Sequence, residues 1–169
     1  MGAMHVLGYA GKYLRVDMTT GETKGVVFEE ETLRKYLGGT GMGAKLLYEE
    51  APPEAGWADA ENRLIIGSGP LGGTAVNGSG TISVVTKGAL TGGGTSVQAN
   101  GRFGAFMKFA GYDGIILEGT SKRWRYLHIA DGRGTLRDAS HLLHRDTYET
   151  ADLILGEWGK TDAQMSIIS

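Results

Sequence analysis

The glycine-rich stretch at residues 67–104 reads GSGPLGGTAVNGSGTISVVTKGALTGGGTSVQANGRFG and decides the fold of this chain. Two short apolar runs, Leu64–Ile66 and Ile82–Val85, each lead into the pattern G-x-L-x-G, at residues 69–73 and 88–92. This repetition predicts two related strand–loop units. Glycine allows a positive φ and the close approach of another group to the backbone. The loops are therefore either tight turns or a surface of bare N–H groups on which a large polar cofactor lies.

Composition limits the class of protein. The chain has 169 residues, enough for one domain with a real core. Its 17 basic and 19 acidic residues give a net charge of −2, which offers no reason to expect nucleic acid as a partner. No apolar run approaches the ~18 residues that span a membrane. The N-terminus lacks the basic region of a signal peptide, so we expect a cytoplasmic protein.

The chain contains no cysteine. It therefore has no disulfide and offers no thiolate to zinc or to an iron–sulfur cluster. His141 and His144 lie three residues apart, but a metal site needs more ligands than these two. These residues therefore predict no metal site, and we give both histidines structural or capping roles.

The hydrophobic pattern predicts an α+β fold with eight to ten strands and four helices, because hairpins outnumber regular βαβ units. Asp131–Gly132 is a strong hairpin turn signal, and Asp146 with Glu149 forms a capping box before the last helix. The predicted strands are 8–16, 23–28, 63–68, 82–85, 113–118, 123–130, 134–138 and one beginning at 165; the predicted helices begin near 29, 44, 102 and 147.

Two further patterns have more than one interpretation. The segment Gly39–Gly43 approaches a dinucleotide-binding fingerprint, but a predicted helix precedes it where that motif requires a strand. Its glycines serve either packing or a phosphate at the next helix. Trp124, Tyr126 and His128 share one face of a strand, which is either a half-buried sheet face or a stacking platform.

Short motifs are spread over the whole chain in a definite order. They are GYAGKYLRVD at 8–17, YLGGTG at 36–41, ENRLI at 61–65, GPL and GT at 69–74, VVTK at 84–87, FG at 103–104, KFAGYD at 108–113 and LRDASHL at 136–142. In this order and spacing they resemble the opening of the aldehyde ferredoxin oxidoreductases.

The resemblance implies a fold and a function. The N-terminal domain of that family consists of two β-sheets related by a pseudo-twofold axis, and forms a base for a tungsten (or molybdenum) bis-pterin cofactor with Mg²⁺. The doubled strand–loop unit fits such symmetry. The family oxidises an aldehyde to a carboxylate, and two electrons leave one at a time through a [4Fe–4S] cluster to ferredoxin or another electron-transfer subunit. Homo- or hetero-oligomers are possible.

The cysteines that hold the cluster lie in later domains of the family. Residues 1–169 are therefore expected to be the N-terminal tungstopterin-binding domain of a longer chain, inactive alone. The predicted strand at Met165–Ser169, which stops with the sequence, suggests the same.

The resemblance also implies site residues. Thr81 stands where the family has an arginine that contacts the pterin, and a neutral hydroxyl cannot replace that bidentate cation. Gln98 aligns with an asparagine that grips the phosphates and their magnesium; Asn100 and Gly101 follow, and either amide oxygen is a hard ligand suited to Mg²⁺. Arg102 is the nearest cation that could compensate for Thr81. These five residues are our predicted cofactor-binding set, and we predict no catalytic residue.

Two other functions stay open at this point. A non-catalytic binding or assembly module could retain the fold, as the threonine in place of the arginine suggests. An unrelated nucleotide-binding domain could use Gly39–Gly43, although the strand that should precede that motif is missing.

Overall fold

A computed structural model describes residues 7–169, which form eight strands and four α-helices. The strands are β1 (Tyr13–Asp17), β2 (Thr23–Val26), β3 (Arg63–Gly67), β4 (Ile82–Lys87), β5 (Gly94–Ala99), β6 (Gly114–Glu118), β7 (Arg125–Ala130) and β8 (Arg133–Asp138). The helices are α1 (Glu30–Tyr36), α2 (Gly39–Glu50), α3 (Phe103–Phe109) and α4 (Thr147–Trp158), and Ser140–Leu142 forms a 3₁₀ turn.

Six strands form one mixed sheet in the order β2-β1-β6-β3-β4-β5, and β7 and β8 form a separate hairpin. Among the strands of the described residues, β1 and β6 are the only parallel pair, and the other pairs are antiparallel. The predicted α+β class with two sheets is confirmed, and the described sheets hold six and two strands.

The core lies on both faces of the large sheet. Ile115 and Ile116 of β6 are 1% and 0% exposed and point to opposite faces; a fully apolar run such as Ile115–Leu117 is typical of a strand buried on both faces. Helix α2 covers one face, and α3 with the β7–β8 hairpin covers the other. Gly43 lets α2 approach the sheet, because a Cβ there would lie 2.6 Å from Val85 Cγ2. Burying each large aliphatic side chain contributes about 1.5–3 kcal/mol.

The two G-x-L-x-G segments are turns that follow β3 and β4. In the first, Gly72 N donates to Gly69 O at 3.0 Å; in the second, Gly92 N donates to Gly88 O at 2.9 Å. The two predicted strand–loop units are therefore confirmed. Because β3 and β4 are antiparallel neighbours, their loops lie at opposite ends of the sheet.

Several local predictions are also confirmed. Asp131 and Gly132 have φ values of 49° and 71°, the positive pair that a tight hairpin turn needs. The capping box is complete, since Asp146 accepts from Glu149 N and the Glu149 carboxylate accepts from Asp146 N. Gly159 ends α4 in the left-handed conformation.

Other predictions are wrong. Met165–Ser169 is not a strand, and residues 94–99 form β5, which was not predicted. Helix α2 begins at Gly39, so the glycine segment forms its first turn. The apolar spacing of Leu33, Tyr36 and Leu37 predicts a buried stripe on α1, but Leu37 is the left-handed cap of that helix, with φ 61°, and its side chain is exposed. The apolar spacing of α4 also predicts that Tyr148 faces inward, but this side chain in the first turn is exposed.

A buried ion pair fastens the segment before β1 to the sheet. Asp113 is 2% exposed and pairs with Lys108 Nζ. Its two carboxylate oxygens also accept from Ala10 N and Gly11 N, each at 2.8 Å. Lys108 Nζ donates in addition to Gly8 O at 2.7 Å. Both carboxylate oxygens of Asp113 and the ammonium of Lys108 thus have hydrogen-bonding partners.

A second charge cluster joins the end of α2 to three central strands. The two Nη atoms of Arg15 bond the Glu50 carboxylate in a fork, at 2.6 and 2.7 Å. Glu118 accepts from Arg15 at 2.8 Å, and Arg63 Nε lies 3.2 Å from both carboxylates. A bidentate, half-buried network of this kind fixes side-chain geometry more firmly than a single surface pair.

Candidate functional site

The five predicted cofactor-binding residues lie at one end of the β4–β5 pair and in the turn that leads into α3. Together they form a corner of the domain. The pairing of Ile82 with Ala99 places Thr81 opposite Asn100. Thr81 Oγ1 donates to Asn100 Oδ1 at 3.0 Å. Gln98 lies opposite Ser83, one step further along the same pair of strands. The structure therefore brings Thr81, Gln98 and Asn100 together, and their role toward a cofactor stays a prediction.

Gly101 lies where two stretches of backbone touch. A Cβ on Gly80 would be only 1.8 Å from the carbonyl oxygen of Gly101, and one on Gly104 would be 2.7 Å from that of Gly80. Gly104 N donates to Gly80 O at 3.0 Å. Gly101 itself has a φ of +143°, a backbone conformation that residues other than glycine rarely adopt. At this corner, glycine therefore serves close packing between the turn before β4 and the turn after β5.

Arg102 carries the positive charge of this corner. It is the cap of α3, and its side chain is 55% exposed. The guanidinium pairs with Asp162 at 3.5 Å and lies over the Phe106 ring at 5.9 Å. An exposed pair of this kind contributes little free energy. The guanidinium can therefore turn toward an incoming anion at small cost.

Sequence reasoning missed a cluster of three hydroxyl groups beside Gln98. Thr40 Oγ1 donates to Ser83 Oγ at 3.1 Å and lies 2.8 Å from Ser96 Oγ. Thr40 belongs to the first turn of α2, and the serines belong to β4 and β5. The only signal in the sequence is that Ser83, Ser96 and Gln98 occupy one face of neighbouring strands, which requires knowing that residues 94–99 pair with β4.

The surface formed by β4, β5 and the corner beside them is nearly free of charge. Every residue of β5 is exposed. Of residues 81–86 and 94–102, only Arg102 is charged. Lys87, at the far end of β4, is 9% exposed and donates to the carbonyl oxygens of Pro52 and Pro53, each at 2.7 Å. The surface thus offers neutral hydrogen-bonding groups along the strands and one cation at the corner.

A groove of about 1100 Å³ lies on the other face of the sheet, between α3, β7 and α4. The predicted face of β7 is partly covered there by α4: the His128 and Trp158 rings stack 3.7 Å apart, and Trp158 Nε1 donates to Tyr126 OH at 3.2 Å. Burial, aided by the charge of Arg137, lowers the pKa of His128. These contacts support the half-buried sheet face rather than a stacking platform.

Among residues 7–169, no group of three His, Asp or Glu side chains is arranged to hold a metal ion. Within the same range, none of the helices combines the length and the apolar character that crossing a membrane requires.

Comparison with known proteins gives consistent matches. The family model for "Aldehyde ferredoxin oxidoreductase, N-terminal domain" matches residues 13–169. The tungsten-containing aldehyde ferredoxin oxidoreductase of Pyrococcus furiosus is 39% identical over 161 residues, and that of Thermococcus kodakarensis is 41% identical over 161 residues. Each alignment covers 95% of this chain and 27% of the relative. The chain thus spans about a quarter of the length of these relatives.

A solved structure shows the same fold. The active-site complex BamBC of benzoyl coenzyme A reductase, in complex with 1,5-dienoyl-CoA, superimposes with a TM-score of 0.88 and 35% sequence identity. The match covers 91% of this chain and 24% of that one. The chain therefore belongs to the aldehyde ferredoxin oxidoreductase family, whose N-terminal domain it matches over residues 13–169.

Proposed function

We propose that this chain is the N-terminal cofactor-binding domain of a longer tungsten (or molybdenum) bis-pterin oxidoreductase. The full-length protein oxidises an aldehyde to a carboxylate in the cytoplasm. Two electrons leave one at a time through a [4Fe–4S] cluster held by later domains, and ferredoxin or another electron-transfer subunit receives them. The family membership and the tungsten-containing relatives support this proposal.

The observation that carries the proposal is the corner formed by Thr81, Gln98, Asn100, Gly101 and Arg102. A pterin cofactor carries phosphate and a divalent cation, which need hard oxygen ligands and a positive charge. The corner offers two exposed amide side chains and an exposed guanidinium in a weak ion pair. Its residues fit such a group.

Each side chain then has a defined task. Gln98 and Asn100 offer amide oxygens to Mg²⁺ and the phosphates, and Arg102 pairs with the phosphate charge. Thr81 fixes the orientation of the Asn100 amide, because its hydroxyl donates to one lone pair of Oδ1 and leaves the other lone pair for a ligand. The bound cofactor supplies the redox chemistry. Residues 81–86 and 94–102 contain no Asp, Glu, His or Lys, so the role we propose for this surface is to bind the cofactor.

The first test is the metal and pterin content of the natively purified full-length protein. We expect tungsten or molybdenum with pterin, and about four irons per chain for one [4Fe–4S] cluster. The same preparation should reduce ferredoxin when an aldehyde is added. A folded, full-length protein that contains neither metal nor pterin would contradict the proposal.

A non-catalytic binding or assembly module is the second candidate. The neutral Thr81, in place of the family's arginine, favours it because a cation is missing from the expected contact. Metal analysis separates the two candidates, since an assembly module would be stable and soluble without tungsten, molybdenum or iron.

A further inference from the structure

Two Asn–Gly dipeptides lie in exposed turns of this domain, at residues 77–78 and 100–101. Asparagine is a chemically labile residue, and before glycine it reacts without an enzyme, because the glycine nitrogen attacks the side-chain amide carbon. Glycine has no side chain that blocks this approach. The third asparagine of the chain, Asn62, is buried, and its amide donates to Trp57 O and Thr86 Oγ1. The three asparagines thus occupy three different environments.

Asn77 and Gly78 form the tip of the loop between β3 and β4. Ser79 N donates to Val76 O at 3.2 Å, and this bond closes a turn with Asn77 and Gly78 at its centre. Gly78 has a φ of +79°, and no atom beyond its chain neighbours lies within 4 Å of the position that a Cβ would take. Among residues 7–169, neither the Asn77 amide nor Gly78 N makes a hydrogen bond. The two reacting groups can therefore meet without breaking a hydrogen bond first.

The same dipeptide at residues 100–101 is held on both sides. Thr81 Oγ1 donates to Asn100 Oδ1 at 3.0 Å, and β5 ends immediately before Asn100. Gly101 O lies so close to Gly80 that a Cβ on Gly80 would be 1.8 Å away. Rotation of the Asn100 amide toward Gly101 N therefore requires a hydrogen bond to break and a packed turn to move.

We propose that Asn77 is a site of spontaneous modification in the folded protein, where the side-chain amide becomes a carboxylate through a cyclic imide. A bond forms from Gly78 N to Asn77 Cγ while the N–H proton passes to water; the bond from Cγ to the amide nitrogen breaks, and ammonia leaves with a proton from water. Water then opens the imide. Addition at Cγ yields aspartate, and addition at the backbone carbonyl carbon yields isoaspartate. The net reaction consumes water and releases ammonia, with no oxidation or reduction.

The product changes the charge and the length of this loop. Residues 64–86 contain no charged side chain, so the new carboxylate is the first charge in that stretch. Isoaspartate also adds one carbon to the backbone just before Gly78, whose carbonyl oxygen accepts from Thr81 N at 3.1 Å. The modification therefore alters the segment that leads into β4. This inference does not depend on the proposed function, because it rests on the loop alone.

The test incubates the natively purified full-length protein at mildly alkaline pH in water enriched in heavy oxygen. The oxygen that enters the new carboxylate comes from the solvent, so peptide mass spectrometry separates conversion during the incubation from conversion during the digestion. We expect Asn77 to convert at least about fivefold faster than Asn100, the factor that corresponds to one hydrogen bond that must break first. Asn62 should keep its amide throughout.

Two controls separate the structure from the sequence. In urea, Asn77 and Asn100 should convert at similar rates, because both precede glycine and neither is held. Asn77→Gln should stop the modification in the loop and leave the rate at Asn100 unchanged, since glutamine has to close a larger ring. No conversion of Asn77 in the folded protein, equal rates at the two sites in the folded protein, or the same ratio of rates in urea would each overturn the inference.

Discussion

The centre and the β5 edge of the same sheet are built on different principles. Ile116 in β6 has no exposed surface, and its strand has a neighbour on each side and a packed layer on each face. Every residue of β5 is exposed, and its α2-side face carries hydroxyl and amide groups. Packing and buried ion pairs specify the centre, whereas hydrogen-bonding groups without an internal packing role occupy the edge. The difference separates residues that hold the fold from residues available to a ligand.

The largest effect on stability is expected at Asp113. Asp113→Asn leaves the ammonium of Lys108, itself largely buried, without a charge partner and weakens the hold on Ala10 and Gly11. Removing one partner of a buried pair costs about 3–5 kcal/mol of unfolding free energy. Urea denaturation measures this loss of unfolding free energy. Asp152→Asn, at an exposed position of α4, is the control and should stay within about 0.5 kcal/mol of the wild type.

The next largest loss of stability is expected at Ile116, and it tests directly the comparison between the centre of the sheet and its β5 edge. Ile116→Ala removes a fully buried side chain and should lower the free energy of unfolding by about 2–5 kcal/mol. Val97→Ala on β5, where the side chain is 59% exposed, should change it by no more than about 0.5 kcal/mol. Similar losses in the two variants would show that β5 contributes to the core as the central strands do.

A smaller effect depends on pH. Burial alone would raise the pKa of Glu50, but hydrogen bonds and charge from Arg15, then from Arg63, outweigh it and hold the pKa below its ordinary value of 4.5. A carboxyl whose pKa is depressed on folding stabilises the protein above the unfolded pKa, and this contribution is lost as pH falls through the folded pKa. Below pH ~4.5 the wild type should therefore lose part of its stability.

Glu50→Gln supplies the comparison for that pH dependence. The variant should be less stable than the wild type at pH 7, and the gap between their urea midpoints should narrow steadily below pH ~4.5. Glu54→Gln, at an exposed loop position, should follow the wild-type profile. A gap that stays constant down to pH ~3 would show that the charge of Glu50 does not stabilise the centre.

Strong local signals made much of the fold predictable. The Asp131–Gly132 turn, the Asp146 capping box and the apolar run of β6 each determine their own structure from a few neighbouring residues. Strand β5 could not be predicted in the same way, because Gly94–Ala99 contains neither an apolar run nor a regular alternation. It is a strand because β4 provides six paired positions for it.

The site was predictable only in part. Thr81 lies opposite Asn100 because β4 pairs with β5, which the sequence does not reveal; only the family resemblance points to these two residues. The hydroxyl cluster is beyond local reasoning, since Thr40 is 43 residues from Ser83 and 56 from Ser96. Met165–Ser169 was expected to be a strand from its apolar residues, yet no neighbouring strand pairs with it among the described residues.

The exposed β5 strand also affects how residues 1–169 would behave when produced alone. In the part of the chain that the structure describes, β5 has a strand on one side only, and it contains no charge and no proline. Natural sheets usually protect such an edge with lysine, proline or a bulge, because open edges join to one another. The isolated polypeptide is therefore expected to aggregate through this edge, and a lysine introduced at Thr95 should increase its solubility.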